Sequence, residues 1–274
     1  MLFLRASLFN FSFYGLTIVA CILCVPGLFL GEKGTYRIIR AYLRMVYMAE
    51  KYILGLDYEV RGLENLPPDG AFIVAAKHQS PYETLKLHYL FNDPAIVLKK
   101  ELLNIPIWGK FLSRIKPIAI DRSQKKEAMK QVIDGAARVK EQGRPIIIFP
   151  QGTRVYPWQT SAEKPYKAGA MRIQSETDMD IVPLAMNTGL YWARKGWMKY
   201  PGKVIFEFLP PLKRQTDIST GLKQLEKTLE ETTTALQNEA MTSYPYLQKM
   251  FDKRKAKHQK HVITAQQKTE TKIS

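Results

Sequence analysis

Cysteine is scarce in this sequence: Cys21 and Cys24 are the only two in 274 residues. The two have the spacing of a redox or zinc motif, but they lie in an apolar stretch, and no second pair is present to complete a zinc site. We therefore expect Cys21 and Cys24 to be packing or lipid-facing residues, and we expect no disulfide framework.

The sequence also lacks a glycine-rich phosphate-binding loop and a cluster of metal-ligating residues. From these absences we expect no nucleotide cofactor and no metal cofactor.

Acidic residues are few relative to basic ones. The chain has 25 Asp and Glu against 41 Lys and Arg, which gives a formal net charge of +16. This excess predicts a polyanionic partner, and composition leaves open nucleic acid, an anionic membrane surface or a phosphorylated substrate. The length and a hydrophobic content of 46% are sufficient for a buried core.

Charged residues are absent from residues 6–31, a stretch of 26 residues. As a helix this stretch would be about 39 Å long, enough to cross a hydrocarbon core of roughly 30 Å. We expect a membrane-embedded helix, with a re-entrant or interfacial helical hairpin as the alternative because Asn10 and Pro26 interrupt the apolar run. A cleaved signal peptide is disfavoured, since only Arg5 precedes the run and the run continues past Cys21.

Basic residues follow this apolar stretch within a dozen positions, at Lys33, Arg37, Arg40 and Arg44. By the positive-inside rule they place the main domain on the cytoplasmic side of the inner membrane. Residues 34–54 have a helical pattern with a basic stripe, which is typical of a helix lying along anionic head groups and also of an ordinary solvated face.

The main domain alternates strand and helix patterns. The predicted strands are YEVRG, AFIVAA, AIVLK, PIAID, PIIIFP, IVPLAM and KVIFEFL, and the clearest helix covers residues 123–142. This alternation predicts an α/β fold with a mixed, largely parallel sheet and helices on both faces. We expect three regions, namely a membrane segment with a basic amphipathic helix at 1–54, the main domain at 55–245, and a basic, flexible tail at 246–274. In the tail, His258 and His261 are expected to be solvated rather than metal ligands.

The segment KHQSPYET, residues 77–84, follows a predicted strand and has two interpretations. Ser80 is suited to an N-cap, Pro81 to the first helical position, and Glu83 to the return partner of a capping box. This interpretation leaves His78 unexplained. A strand-to-helix junction is also where α/β proteins present reactive groups, so His78 and Glu83 are candidates for catalysis.

Three further segments end predicted strands, namely IKPIAIDRS at 115–123, IIIFPQGTR at 146–154 and IVPLAMNTG at 181–189. The carboxyl ends of parallel strands converge on one edge of a sheet, so these segments are expected to join His78 in one site. Arg122 and Arg154 could hold a phosphate group there through forked donors, although an arginine after a strand is often only a surface charge.

The ordered motifs HQSPYE, AIDR, FPQGTR and IVPLAM resemble those of the 1-acyl-glycerol-3-phosphate acyltransferases, within the wider glycerolipid acyltransferase group. The resemblance covers about residues 58–210 and implies a glycerolipid acyltransferase fold. The chain departs from the family pattern at two positions. Glu83 stands where most members have aspartate, which keeps the carboxylate, and Gln151 stands where most have glutamate, which puts the choice of acceptor in question.

The resemblance implies transfer of an acyl chain from acyl-CoA or acyl-carrier protein to the sn-2 hydroxyl of lysophosphatidic acid, which would yield phosphatidic acid at a membrane. His78 is then the expected general base, and Glu83 is expected to fix its tautomer. The substrate-binding residues implied are Arg122 and Arg154 for the phosphate, Lys100 as a helper, and Gln151, Gly152 and Thr153 for the glycerol pocket.

Two alternatives stay open at this point. The same chemistry could serve another lyso-lipid, such as a lyso-ornithine lipid, and Gln151 favours this alternative. The net charge of +16 would also suit a non-enzymatic, membrane-anchored protein that binds nucleic acid. That second alternative leaves the ordered motifs unexplained, so we expect a lysophospholipid acceptor and no nucleic-acid partner.

Overall fold

The computed structural model of the chain describes residues 1–27, 31–68, 70–91, 93–106, 108–121, 123, 125–214 and 217–270. Within these ranges, seven strands form one sheet in the order β1-β7-β6-β2-β5-β3-β4. The strands are β1 (Leu56–Arg61), β2 (Ile73–Ala76), β3 (Ala95–Lys99), β4 (Ile118–Ile120), β5 (Ile146–Ile148), β6 (Ile181–Met186) and β7 (Gly202–Phe208). Each strand overlaps one of the seven segments predicted as strands, although β1 begins two residues before YEVRG and β7 begins one residue before KVIFEFL.

The described helices surround this sheet. They are α1 (Leu2–Gly27), α2 (Gly31–Ala49), α3 (Pro81–Leu90), α4 (Trp108–Arg114), α5 (Lys125–Glu141), α6 (Gly169–Thr177), α7 (Thr188–Tyr191), α8 (Ile218–Ser243) and α9 (Pro245–Glu270). A π-helical turn at Glu50–Leu54 continues α2, and a 3-10 turn at Lys100–Asn104 follows β3.

The sheet is mixed and mostly parallel, as predicted. Strand β2 pairs in parallel with β5 and β6, and β3 pairs in parallel with β4 and β5. Among the described strands, β6 and β7 make the antiparallel pair, and β1 pairs in parallel with β7. The carboxyl ends of β2 to β6 therefore meet at one edge, where α/β proteins place their binding sites.

Alternate residues of the strands point to opposite faces of the sheet and supply two hydrophobic cores. Val74 and Ala76 on β2 belong to a core that includes residues of α1, α3, α7 and α9. Ile73 and Ala75 belong to a second core with residues of α5, α6 and α8. Helices therefore cover both faces, which confirms the predicted fold class.

Helix α1 is the one described helix that is long and apolar enough to cross a membrane, over Leu2–Leu23, a criterion of length and composition only. Most of this stretch is exposed. A few buried residues attach it to the main domain, among them Phe9, whose ring packs edge-on against Trp192 with 5.4 Å between centroids. A soluble core helix or a signal sequence would meet the same criterion.

The segment predicted as a flexible tail is helical in the structure, as part of α9. Its first turns pack on the main domain through Tyr246, Leu247, Met250 and Phe251. The residues at 259–264 are exposed. The prediction and the structure differ because the prediction followed the average composition of the segment, which is polar and basic. The apolar residues that hold the helix are concentrated in its first two turns.

Candidate active site

The turn between β2 and α3 presents the first two candidate residues. Ser80 is the N-cap of α3, its Oγ accepts a hydrogen bond from the backbone N–H of Tyr82 at 3.0 Å, and Pro81 is the first helical residue. Glu83 completes a capping box. The helix-start interpretation of this segment is therefore confirmed.

The Glu83 carboxylate also contacts His78. Its Oε1 atom lies 2.8 Å from His78 Nδ1 and accepts hydrogen bonds from the backbone N–H groups of Gln79 and Ser80 at 2.6 and 2.7 Å. Glu83 is fully buried, so three donors hold this oxygen away from bulk solvent. An anionic acceptor at Nδ1 favours the tautomer with its proton on Nδ1, which leaves a lone pair on Nε2.

Phe149 supports the His78 ring from the side. The two rings stack with 4.0 Å between centroids and an interplanar angle of 19°. The His78 side chain is 16% exposed, so the ring has an open edge towards the adjacent pocket, which it lines. Phe149 is the first residue of the FPQGTR motif. Its stacking on His78 was not predicted from the sequence, because that contact depends on the distance between β2 and β5.

A pocket of about 690 Å³ opens beside His78. Its buried lining is apolar and comes from β3, β4, α5 and β5, with Ile96, Val97, Ile120, Val132 and Ile148 among the residues. Its charged lining residues are Lys99, Arg154 and Lys167, and of these Lys99 and Lys167 are exposed and Arg154 is half-buried. The pocket therefore has an apolar interior and a basic opening, and His78 also belongs to its lining.

The other predicted binding residues divide into three groups. Gly152, Thr153 and Arg154 line the pocket together with His78. Lys100 is exposed and does not line it, whereas its neighbour Lys99 does. Arg122 lies outside the described residues.

Gln151 is also absent from the lining of the pocket. Its side chain is buried, its Nε2 donates to the Lys164 carbonyl oxygen at 3.1 Å, and its Oε1 has no hydrogen-bond partner among the described residues. A glutamate at this position could not donate to that carbonyl. Gln151 therefore anchors the segment that leads to α6 and does not contact the pocket directly.

A partly buried ion pair behind the site was not predicted. Lys77, next to His78, donates to Glu230 Oε2 of α8 and to the Gln159 carbonyl oxygen, both at 2.8 Å, and Tyr166 donates to Glu230 Oε1 at 2.9 Å. These bonds fix the end of β2 against α8 and the 155–166 segment. In sequence, the signal was the unusual lysine at the end of an apolar strand.

Metal ligands do not cluster in the part of the chain that the structure describes, where no group of three or more His, Cys, Asp or Glu side chains is arranged to hold an ion. The chemistry available at the site is proton transfer by an imidazole with a buried carboxylate behind it, next to an apolar pocket.

Comparison with known proteins identifies one family. The family model described as Acyltransferase matches residues 57–187. The 1-acyl-sn-glycerol-3-phosphate acyltransferase of Pseudomonas aeruginosa is 34% identical over 199 residues, which are 72% of this chain and 76% of the relative. The enzyme of the same name from Saccharomyces cerevisiae is 32% identical over 203 residues, which cover 73% and 64% of the two chains.

A solved structure shows the same fold. The crystal structure of the 1-acyl-sn-glycerophosphate acyltransferase PlsC from Thermotoga maritima matches with a TM-score of 0.70 at 22% identity, and the match covers 86% of this chain and 98% of that one. This match shows the fold, and the sequence relatives show the family. The chain belongs to the acyltransferase family that includes the 1-acyl-sn-glycerol-3-phosphate acyltransferases, and it is an acyltransferase.

Proposed function

We propose that the protein transfers a fatty acyl chain from acyl-CoA or acyl-carrier protein to the sn-2 hydroxyl of lysophosphatidic acid, which yields phosphatidic acid for phospholipid biosynthesis. The observation that supports this proposal is the His78–Glu83 pair beside an apolar pocket with a basic opening. The names of the sequence relatives give the same acceptor.

In this proposal His78 is the general base. Its Nε2 takes the proton of the acceptor hydroxyl as the oxygen attacks the thioester carbon, because an alcohol is a poor nucleophile near neutral pH. The Glu83 carboxylate stabilises the imidazolium that forms. When the tetrahedral intermediate collapses, the C–S bond breaks and His78 returns the proton to the leaving thiolate, so the imidazole is neutral again.

The pocket and its opening would hold the two substrates. The acyl chain of the donor fits the apolar interior, and Arg154 with Lys99 at the basic opening would bind the phosphate of the acceptor. We propose that Arg122 and Lys100 assist and that Gly152 and Thr153 shape the glycerol site. The reaction as written needs only proton transfer and thioester displacement, so we propose that it uses no metal and no cofactor beyond the donor.

The acceptor is a membrane lipid, so the enzyme must work at a bilayer. We propose that α1 inserts in the inner membrane, with the catalytic domain on the cytoplasmic side. The apolar, mostly exposed surface of α1 and the basic residues that follow it support this orientation.

A second acceptor class is favoured by one observation. Gln151 donates an amide hydrogen bond to the Lys164 carbonyl oxygen, and an ionised glutamate, the usual residue of the family pattern, cannot make that bond. The alternative is therefore the same acyl transfer to another lyso-lipid, such as a lyso-ornithine lipid.

The test compares purified wild type with His78→Ala in vesicles, with acyl-CoA and a panel of lyso-lipids that includes lysophosphatidic acid. Thiol release and the lipid product are measured together. We expect phosphatidic acid from the wild type and a loss of at least about a hundredfold in kcat for the folded variant. Undiminished turnover by His78→Ala would contradict the base assignment, and activity only on a phosphate-free acceptor would contradict the choice of lysophosphatidic acid.

A further inference from the structure

A group of aromatic and cationic side chains lies outside the pocket, and we call it the aromatic–cationic cluster. The Tyr156 and Trp158 rings are stacked with 4.8 Å between centroids and an interplanar angle of 3°. The His258 ring of α9 lies 4.5 Å from Tyr156 and 5.8 Å from Trp158. Arg194 lies over the Tyr156 ring at 5.5 Å, and Arg254 lies over Trp158 at 5.9 Å.

The cluster adjoins the catalytic turn. The backbone N–H of Val155, which directly precedes Tyr156, donates to the His78 carbonyl oxygen at 2.7 Å. Arg254 donates to the carbonyl oxygens of Leu190 and Gly189, at 3.3 and 3.1 Å. The Gly189 N–H in turn donates to Gln79 Oε1 at 3.1 Å. Helix α9 is therefore connected to Gln79, the residue after His78, through two hydrogen bonds. His258 was predicted to be a solvated tail residue, but in the structure it is half-buried and packs against Tyr156 and Trp158.

The basic side chains of this region have no acidic partner among the described residues. No carboxylate there lies within 4.0 Å of Arg154, Arg194, Arg254 or His258. Arg61, by contrast, is paired with two carboxylates, those of Glu59 and Glu239. Arg154 Nη1 is also 3.4 Å from the Arg194 carbonyl oxygen, so the two guanidinium-bearing residues are neighbours.

This arrangement is suited to binding a phosphate. A guanidinium that packs its face on an aromatic ring keeps its edge free, and the edge carries the forked N–H donors that match phosphate oxygens. Arg254 uses its donors to hold α9, whereas the Arg194 and His258 side chains make no hydrogen bond to a described residue. Neighbouring positive groups without a counter-ion repel one another, and a bound dianion would relieve that repulsion.

We propose that the aromatic–cationic cluster binds a phosphate group of the acyl donor, that is, of a phosphorylated pantetheine thioester, with Arg194 and His258 as the binding residues. The inference rests on the proposed function. Arg154 lines the pocket beside His78 and suits the acceptor phosphate, whereas Arg194 and His258 lie outside the lining. With its acyl chain in the pocket and its thioester at His78, the donor must extend its phosphorylated arm away from the pocket.

The experiment measures binding of coenzyme A to the full chain in detergent by titration calorimetry. The variants are Arg194→Gln and His258→Gln, and the matched controls are the exposed neighbours Lys195→Gln on the same loop and Lys260→Gln on the same helix. Since each variant removes a charge-assisted hydrogen bond to the phosphate, we expect the Kd to rise by about tenfold or more in the variants and to stay unchanged in the controls. Equal effects in variants and controls would overturn the proposal.

Steady-state kinetics gives a second readout. In both variants the KM for acyl-CoA should rise while the KM for lysophosphatidic acid stays constant. A rise confined to the acceptor KM would assign the cluster to the acceptor and overturn the proposal. If the wild type transfers no acyl group but the variants still weaken coenzyme A binding, the proposed function fails and the donor site stands.

Two probes identify which phosphate is bound. Weaker binding of 4′-phosphopantetheine to the variants would assign the cluster to the pantetheine phosphate, which acyl-CoA and acyl-carrier protein share. Weaker binding of 3′,5′-ADP alone would assign it to the nucleotide of coenzyme A. Unchanged binding of both probes would overturn the proposal.

Discussion

At the scale of single residues, Glu83 both caps α3 and holds His78, and one substitution separates the two roles. Glu83→Gln keeps an oxygen that can accept from His78 and from the backbone N–H groups of Gln79 and Ser80. It removes the charge that stabilises the imidazolium. We expect kcat to fall by about 10²–10⁴-fold, with a change of no more than about 2 kcal/mol in the free energy of unfolding.

The matched control is Ser80→Ala, which removes the cap acceptor of Tyr82 N–H and leaves Glu83 in place. It should cost about 1 kcal/mol of stability with little effect on kcat. Steady-state kinetics of both variants measures the change in kcat, and denaturant unfolding measures the change in the free energy of unfolding. If Glu83→Gln retained wild-type turnover, Glu83 would be a helix cap only.

The sequence predicted residues whose contacts are local and missed those set by packing. His78 and Glu83 are five positions apart across one turn, so their contact followed from a short motif. Phe149 and Lys99 come from other strands, and which of Lys99 and Lys100 lines the pocket depends on where β3 ends and the 3-10 turn begins.

At the scale of secondary-structure elements, one buried ion pair connects the N-terminal helices to α3, the helix that carries Glu83. Lys86 Nζ donates to Glu50 Oε2 at 2.7 Å, and both side chains are buried. Burial lowers the pKa of Lys86 and raises that of Glu50. Four tyrosine rings surround the ammonium at 4.3–5.5 Å, those of Tyr47, Tyr58, Tyr82 and Tyr89.

Breaking this pair on one side should be costly, because it leaves the other group buried without its partner. Lys86→Met should lower the free energy of unfolding by about 3–5 kcal/mol, whereas the double variant Glu50→Leu with Lys86→Met should recover much of that loss. Denaturant unfolding in detergent measures both. A double variant as unstable as Lys86→Met would show that the pair itself, and not the unpaired charge, determines stability.

The elements themselves were predictable to different degrees. The strands are short runs of β-branched residues bounded by Gly, Pro or charge, so their positions and the parallel sheet followed from pattern alone. The Glu50–Lys86 pair and the order β1-β7-β6 at one edge join residues far apart in sequence, and no local pattern encodes them. Helix α9 was missed because a few apolar contacts, such as Leu247, outweigh a polar average.

At the scale of the whole molecule, α1 is attached to the main domain by polar contacts as well as apolar ones. Asn10, which interrupts the apolar run of the sequence, donates to the Trp197 carbonyl oxygen at 2.9 Å and accepts a hydrogen bond from Lys199 Nζ at 2.6 Å. Lys199 is 5% exposed and has its ammonium 5.0 Å from the Trp192 ring centre. A buried lysine is therefore one of the contacts that join the proposed membrane helix to the catalytic domain.

Burial lowers the pKa of Lys199 from 10.5 to about 8, and this makes the attachment depend on pH. Between these two values the unfolded chain binds a proton that the folded chain does not, so the free energy of unfolding contributed by this group rises with pH. Relative to Lys199→Met, the wild type should gain stability from pH 7 to 9.5, by at most about 1.4 kcal/mol per pH unit. Unfolding of both proteins across this range measures the difference, and a constant difference would mean that Lys199 keeps its ordinary pKa in the folded chain and is not desolvated beside α1.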